Sequence, residues 1–254
     1  WHLFLEAGYA FDLLASKARN DLVQDQRALK SYVTNNMRAI LIIAVLIFSI
    51  VVHEVAHAWQ ARREGDDTAE QLGRITLNPI PHLDLFGSFI IPLGLYLADI
   101  GFLFGWARPV PVNPSKYRSP VWGDIRVSLA GIASNLVLAV IATLGLALLI
   151  KITSLSESPL SSFSEILIDM AWYGILINLV LAFFNLIPIP PLDGSHVVFH
   201  LLPRSIAVWY SRAGRYGLLL LMGLLYFRRD LFEYLMWPVE FFLNQADAFI
   251  RLWI

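Results

Sequence analysis

No cysteine occurs anywhere in this chain. That absence excludes thiol nucleophiles, thiolate metal ligands and disulfides. Charge is also scarce. Asp, Glu, Lys and Arg make up 15% of the 254 residues, where an ordinary soluble domain carries about 25%. Acids and bases nearly cancel, leaving a net charge of −1, so nucleic acid is not an expected partner. Internal repeats and low-complexity tracts are missing too. What fills the chain instead is apolar: 57% of residues are hydrophobic and the mean hydropathy is +0.61. That is the composition of a protein whose solvent is a lipid bilayer.

The apolar residues fall into segments near 39–61, 86–105, 125–150, 165–187 and 206–227, followed by an aromatic-rich tail, 231–254. A spanning helix needs about 20 apolar residues. The first, third and fourth segments meet that need. The second carries Gly87, Pro92, Gly94, Asp99, Gly101 and Gly105. Irregular backbone is excluded from lipid but tolerated where protein covers it. This segment therefore reads as re-entrant or broken. The expected fold class is an all-α polytopic membrane protein, a helical bundle of about 4–6 transmembrane segments. The expected division is an interfacial helical segment over 1–38, a core over 39–200, and a C-terminal membrane helix and tail over 201–254.

Arg62, Arg63, Arg74, Arg108, Lys116 and Arg118 lie in the connections 62–85 and 107–124, whereas 152–164 has no Lys or Arg. By the positive-inside rule the first two connections are cytoplasmic.

The chemistry sits in "IFSIVVHEVAHAWQARR", Ile47 to Arg63. His53, Glu54 and His57 form H-E-x-x-H. On a helix the two histidines are one turn apart on one face and can share one zinc ion. Glu54 lies about 100° round the helix, beside the ion, where it can take a proton from water. Three ionisable groups in an apolar run cost about 2.5–3.5 kcal/mol each unless strongly partnered, and a divalent cation is the best partner available. A catalytic zinc usually takes a third protein ligand. Asp193, in "NLIPIPPLDGSHV", is the candidate. Pro188, Pro190 and Pro191 stop the fourth segment, and Gly194 permits an unusual backbone angle. A helix-capping Asp is the alternative. For Asp193 to meet His57, the second segment must contribute no crossing or two.

With "HEVAH", the stretches "GRITLNPIPHLDLFGS", "GWARPVPVNP", "AGIASNLVLA" and "NLIPIPPLDG" resemble the site-2 protease family of intramembrane zinc metalloproteases, in its short bacterial and archaeal form without PDZ or CBS domains. The resemblance implies His53, His57 and Asp193 as ligands of one catalytic Zn2+ and Glu54 as base. It implies Asn135 near the site, holding substrate or oxyanion, and Asn185 in substrate binding. It also implies a membrane-protein substrate cut in or near a transmembrane segment, in a prokaryotic inner membrane with the site toward the cytoplasm. The oligomeric state is left open. A proline is missing: the family's G-P-x-x-N reads Gly131-Ile132-Ala133-Ser134-Asn135.

Other features carry second readings. His196 and His200 form another i, i+4 pair that extends the metal site, binds a second ion, lines the substrate path or is simply interfacial. His82 and Asp84 serve as a gate or as turn and cap. Gly131 lets helices approach and brings Asn135 near the metal. From other classes, the chain is a membrane metal-binding or transport protein, or an inactive protease-like scaffold.

Overall fold

The computed structural model describes residues 24–91, 94, 97, 106–155 and 162–253. Among these residues the regular structure is helical, without a strand. The helices are α1 (Gln24–Glu64), α2 (Thr68–Gln71), α3 (Pro120–Ser154), α4 (Ser162–Leu186), α5 (Gly194–Leu201), α6 (Arg204–Ala213), α7 (Gly217–Phe227), α8 (Arg229–Leu235) and α9 (Trp237–Arg251). Three stretches are long and apolar enough to cross a membrane: Met37–Glu64, Pro120–Ser154 and Phe163–Leu186. In hydrocarbon, backbone groups must be satisfied within their own segment, and a helix does this. These are the first, third and fourth segments expected from sequence, and the chain is an all-α membrane protein.

The chain divides into two units, residues 1–40 with 78–109, and residues 41–77 with 110–254. In the first unit, residues 24–40 belong to α1, which runs unbroken from Gln24, so no element boundary falls at 38. Residues 1–23 of the expected interfacial segment lie outside the described residues. Further on, a tight turn at Ile80–His82 precedes a wide helical turn at Phe86–Ile90. Asp84 caps the wide turn. Its Oδ1 accepts the Gly87 N–H at 2.7 Å, and its own N–H donates to Ser88 Oγ at 3.0 Å. The turn-and-cap reading of Asp84 accounts for these bonds.

The second apolar segment then returns to its start. Trp106 N–H donates to Gly87 O at 3.1 Å, and Ser88 Oγ donates to Trp106 O at 3.0 Å. A Cβ on Gly87 would lie 2.5 Å from the Trp106 indole, so only glycine allows this closure. Most of the segment's interior, including 98–105, lies outside the described residues, and the re-entrant or broken reading falls there.

In the second unit α4 is central. Every residue from Gly174 to Val180 is buried. α3 lies along it, and a Cβ on Gly174 would sit 3.0 Å from that of Ala142. Close approach through small residues is how membrane helices gain dispersion contact when lipid is as apolar as they are. α5 packs on α3, and α9 packs on α4 with Phe183 and Phe242 stacked at 5.4 Å.

The fifth apolar segment, 206–227, is helical along its length. α6 passes into α7 through a tighter turn at Gly214–Tyr216, where Ala213, Gly214 and Gly217 keep right-handed helical angles. The chain presses there on the proline loop after α4: a Cβ on Gly217 would lie 1.7 Å from Pro190 O. α9 has 15 residues. At about 1.5 Å per residue it does not reach across a hydrocarbon core of about 30 Å.

Candidate metal centre

The register of α1 takes the first step. Ser49, His53 and His57 recur every four residues and share one face of the helix. α3 offers a matching stripe at three- and four-residue spacing: Asp124, Val127, Gly131 and Asn135. His57 Nδ1 donates to Val127 O at 2.7 Å, and His53 Nδ1 donates to Asn135 Oδ1 at 2.6 Å. Each ring thus carries its proton on Nδ1 and turns a bare Nε2 lone pair the other way.

Those lone pairs converge. The two Nε2 atoms are 3.0 Å apart. Asp193 Oδ2 lies 3.1 Å from His53 Nε2 and 3.3 Å from His57 Nε2. This oxygen is buried and has no hydrogen-bond donor. Three acceptors at such distances repel one another unless a proton or a metal cation lies among them. Four-coordinate zinc, with bonds of about 2.0–2.1 Å to N and O, spans ligand–ligand edges of about 3.3 Å. His53, His57 and Asp193 form the group able to hold a metal ion among the described residues. Two imidazoles and a carboxylate are a donor set that suits zinc.

Gly131 makes the packing possible. A Cβ there would meet His57 Nε2 at 2.5 Å and His53 Cε1 at 2.6 Å. The sequence reading gave this glycine to helix–helix approach; its absent side chain makes room for the two rings. Ile132 stands where the family pattern has proline, and α3 runs straight through the position.

Asp193 reaches the histidines through a compact loop. Ile189 N–H donates to Ile187 O at 2.8 Å and Leu192 N–H to Ile189 O at 2.9 Å. Asp193 then opens α5 with helical backbone angles (φ −58°, ψ −37°), and its side chain makes no capping bond. The capping alternative therefore gives way to a carboxylate aimed at the histidines. The expectation for Gly194 needs correction. It adopts no unusual angle; a Cβ there would lie 2.1 Å from Leu186 O, so glycine is required for space. α5 is tied down by its own histidines. His200 Nε2 and His196 Nδ1 donate to Asp124 Oδ2 at 2.8 and 3.2 Å. That hydrogen bond to Asp124 raises the His196 pKa above its ordinary 6.5 against the opposing effect of burial. The second histidine pair thus fastens the helix that presents Asp193.

Glu54 is held by a backbone amide. Val110 N–H donates to Glu54 Oε2 at 2.7 Å. Pro109 and Pro111 flank Val110, so within this tripeptide only Val110 has an N–H to give. The loop carrying Val110 is anchored in turn by buried Asp66. Its carboxylate accepts from Asn113 N–H at 2.5 Å and from the N–H and Oγ1 of Thr68 at 3.0 and 2.5 Å. Burial pushes the Asp66 pKa up, but these bonds and Lys116 outweigh it and hold the carboxyl below its usual range. The sequence reading assigned no role to Val110, Asp66 or Asp124. The two prolines around Val110 were the only local signal.

Asn135 is fully buried. Its Oδ1 meets His53 and its Nδ2 donates to Asn178 Oδ1 at 2.8 Å, so both ends of the amide are engaged inside the protein. Asn185 turns back on its own helix, donating Nδ2 to Leu181 O at 2.9 Å.

A two-histidine, one-carboxylate group with a glutamate fastened beside it is the equipment of a metallohydrolase, here carried on membrane-crossing helices. The family model for Peptidase family M50 matches residues 41–156 and 146–225. The chain belongs to that family, the site-2 proteases. It is 40% identical over 212 residues to "Putative zinc metalloprotease YwhC" of Bacillus subtilis (strain 168), covering 83% of this chain and 90% of the relative. It is 33% identical over 215 residues to "Putative zinc metalloprotease Rip2" of Mycolicibacterium smegmatis, covering 80% of this chain and 74% of that protein. "Putative zinc metalloprotease Rip3" of Mycobacterium tuberculosis is 30% identical over 186 residues, 71% of this chain but 37% of its own length. No solved structure matches the chain significantly. Membership of a peptidase family favours the enzyme over the transporter alternative.

Proposed function

We propose that this chain, a zinc metalloprotease of the site-2 protease family, hydrolyses peptide bonds in or near the transmembrane segments of other membrane proteins. The observation that carries this reading is the convergence of His53 Nε2, His57 Nε2 and Asp193 Oδ2 within about 3 Å of one another, with two of the three on a membrane-crossing helix. These three residues hold one zinc ion. When bound, the metal acidifies water near neutral pH and polarises the scissile carbonyl.

The chain's own residues do the rest. Glu54 is the general base and then the acid to the leaving amine. Val110 N–H fixes its Oε2, which leaves Oε1 to face water. Asp124, through His196 and His200, keeps α5 and hence Asp193 in place. Asn185 binds substrate through the amide oxygen that its bond to Leu181 leaves. The substrate must be unwound at the cut, because a helix hides its carbonyls in hydrogen bonds. The Lys and Arg residues of 62–85 and 107–124 favour a site toward the cytoplasm, and the bacterial relatives favour a prokaryotic inner membrane.

The test is a pair of variants in a reconstituted cleavage assay with zinc content measured alongside. Glu54→Gln should abolish cleavage and retain zinc; Asp193→Ala should lose zinc. Cleavage by Glu54→Gln at the wild-type rate would overturn the mechanism.

A further inference from the structure

Behind His53 lies a polar chain that crosses three membrane helices. Asn135 Nδ2 on α3 donates to Asn178 Oδ1 on α4 at 2.8 Å, and reaches Ser49 O on α1 at 3.4 Å. Asn178 Nδ2 donates to Gly174 O at 2.8 Å and to Ser49 Oγ at 2.9 Å. Ser49, Asn135 and Asn178 are all buried, the first two completely. Buried polar groups among apolar helices are costly unless every one is satisfied, so such a chain has to be accounted for.

The polarity of the chain is fixed from its far end. Gly174 O is a backbone carbonyl and can only accept. Asn178 must therefore turn its NH2 toward it, which leaves Oδ1 facing Asn135. Asn135 must answer with its own NH2, which leaves its Oδ1 facing His53. His53 must then donate from Nδ1, and its Nε2 is left as a lone pair directed at His57 and Asp193. Each step follows from which atoms can donate. Swapping the ends of either amide would set two acceptors, or two donors, against each other.

We propose that Asn178, acting through Asn135 and supported by Ser49, is a positioning residue that locks His53 in the tautomer able to bind metal. The role assigned to Asn135 changes with it. Its amide faces a metal ligand and the relay, where the family resemblance had it holding substrate or oxyanion. The proposal rests on the metal-site reading above. The bland alternative is that the three residues merely glue helices together. Glue alone would leave the position of the His53 proton free, whereas a tautomer lock fixes it on Nδ1.

The test uses the full chain purified in detergent, with zinc affinity read by chelator competition. Asn178→Leu keeps the branching of the side chain, at somewhat greater volume, and removes the polarity. It should weaken zinc binding about 10–100-fold, the usual loss when a partner behind a ligand is removed. Asn178→Asp should stay within about threefold of wild type. A neutral acid in this apolar setting places its one hydroxyl toward Gly174 O and a carbonyl toward Asn135; it keeps the link to Asn135 and gives up only the second donation, to Ser49 Oγ. Independently, nitrogen-15 spectra of the histidine-labelled, metal-free wild type should show His53 protonated on Nδ1. Wild-type zinc affinity in Asn178→Leu, or a wild-type His53 with no proton on Nδ1, would overturn the relay. The spectrum decides the matter even if Asn178→Leu does not fold. His53→Ala separates the two readings. If it binds zinc as tightly as wild type, the metal site itself is misassigned; if it loses zinc while Asn178→Leu does not, only the relay fails.

Discussion

Replacing Gly131 by alanine puts a methyl group into the space where the two rings lie. The new Cβ would be 2.5 Å from His57 Nε2 and 2.6 Å from both His53 Cε1 and His57 Cε1. Carbon and nitrogen atoms sit comfortably at about 3.5 Å and beyond, so something must move by about 1 Å. α3 has little freedom to yield, since Gly174 on α4 already brings it close at Ala142. The rings must yield, while metal–ligand distances tolerate only about 0.2 Å. We expect zinc affinity to fall at least 100-fold, about 2.7 kcal/mol. The helix itself should not suffer, because alanine is the better helix former by about 1 kcal/mol. Helicity of the metal-free protein should therefore match wild type. Gly145→Ala is the control: it lies on the same helix, and a Cβ there meets nothing within 4 Å. It should leave zinc affinity unchanged. Chelator competition on the three proteins settles the case. Wild-type zinc affinity in Gly131→Ala would refute the claim that this glycine exists to admit the rings.

Two further outcomes follow from the site. Val110→Pro removes the N–H that holds Glu54, and should lower kcat about 10–100-fold with zinc binding unchanged; equal loss of zinc would mean that the loop supports the metal ligands instead. Acid should loosen the same loop. The folded pKa of Asp66 is depressed, so its stabilisation is complete above the unfolded value of about 3.9 and is lost as pH falls through the lower folded value. Protection of the Asn113 amide against hydrogen exchange, relative to a free amide at the same pH, should fall across that acid range, and Asp66→Asn should lack it already at neutral pH, with about 1–3 kcal/mol of local stability gone. An unchanged acid dependence in Asp66→Asn would place the titrating group elsewhere.

The ligand set was legible because its signals are local. H-E-x-x-H puts His53 and His57 on one helical face whatever surrounds them. The prolines before Asp193 stop a helix by covalent geometry, and apolar runs of sufficient length have to be helices in lipid. The glycines and prolines of the second segment marked it as re-entrant or broken, and of that segment the described residues show the Gly87–Trp106 bond. Composition does not record that Gly217, in the fifth segment, must abut Pro190.

The sequence by itself determined the chemistry available: two imidazoles one turn apart, a glutamate beside them, a carboxylate on a proline-bounded bend, and no thiol to compete. Tertiary structure alone decided how those groups are held. Val110 reaches Glu54 across 56 positions, and Asn178 reaches Ser49 across 129. Such bonds depend on which helix faces which, and no local pattern encodes that. The same holds for Gly131 and Gly194, ordinary glycines in the sequence whose missing side chains are required only because a particular ring or carbonyl is packed against them.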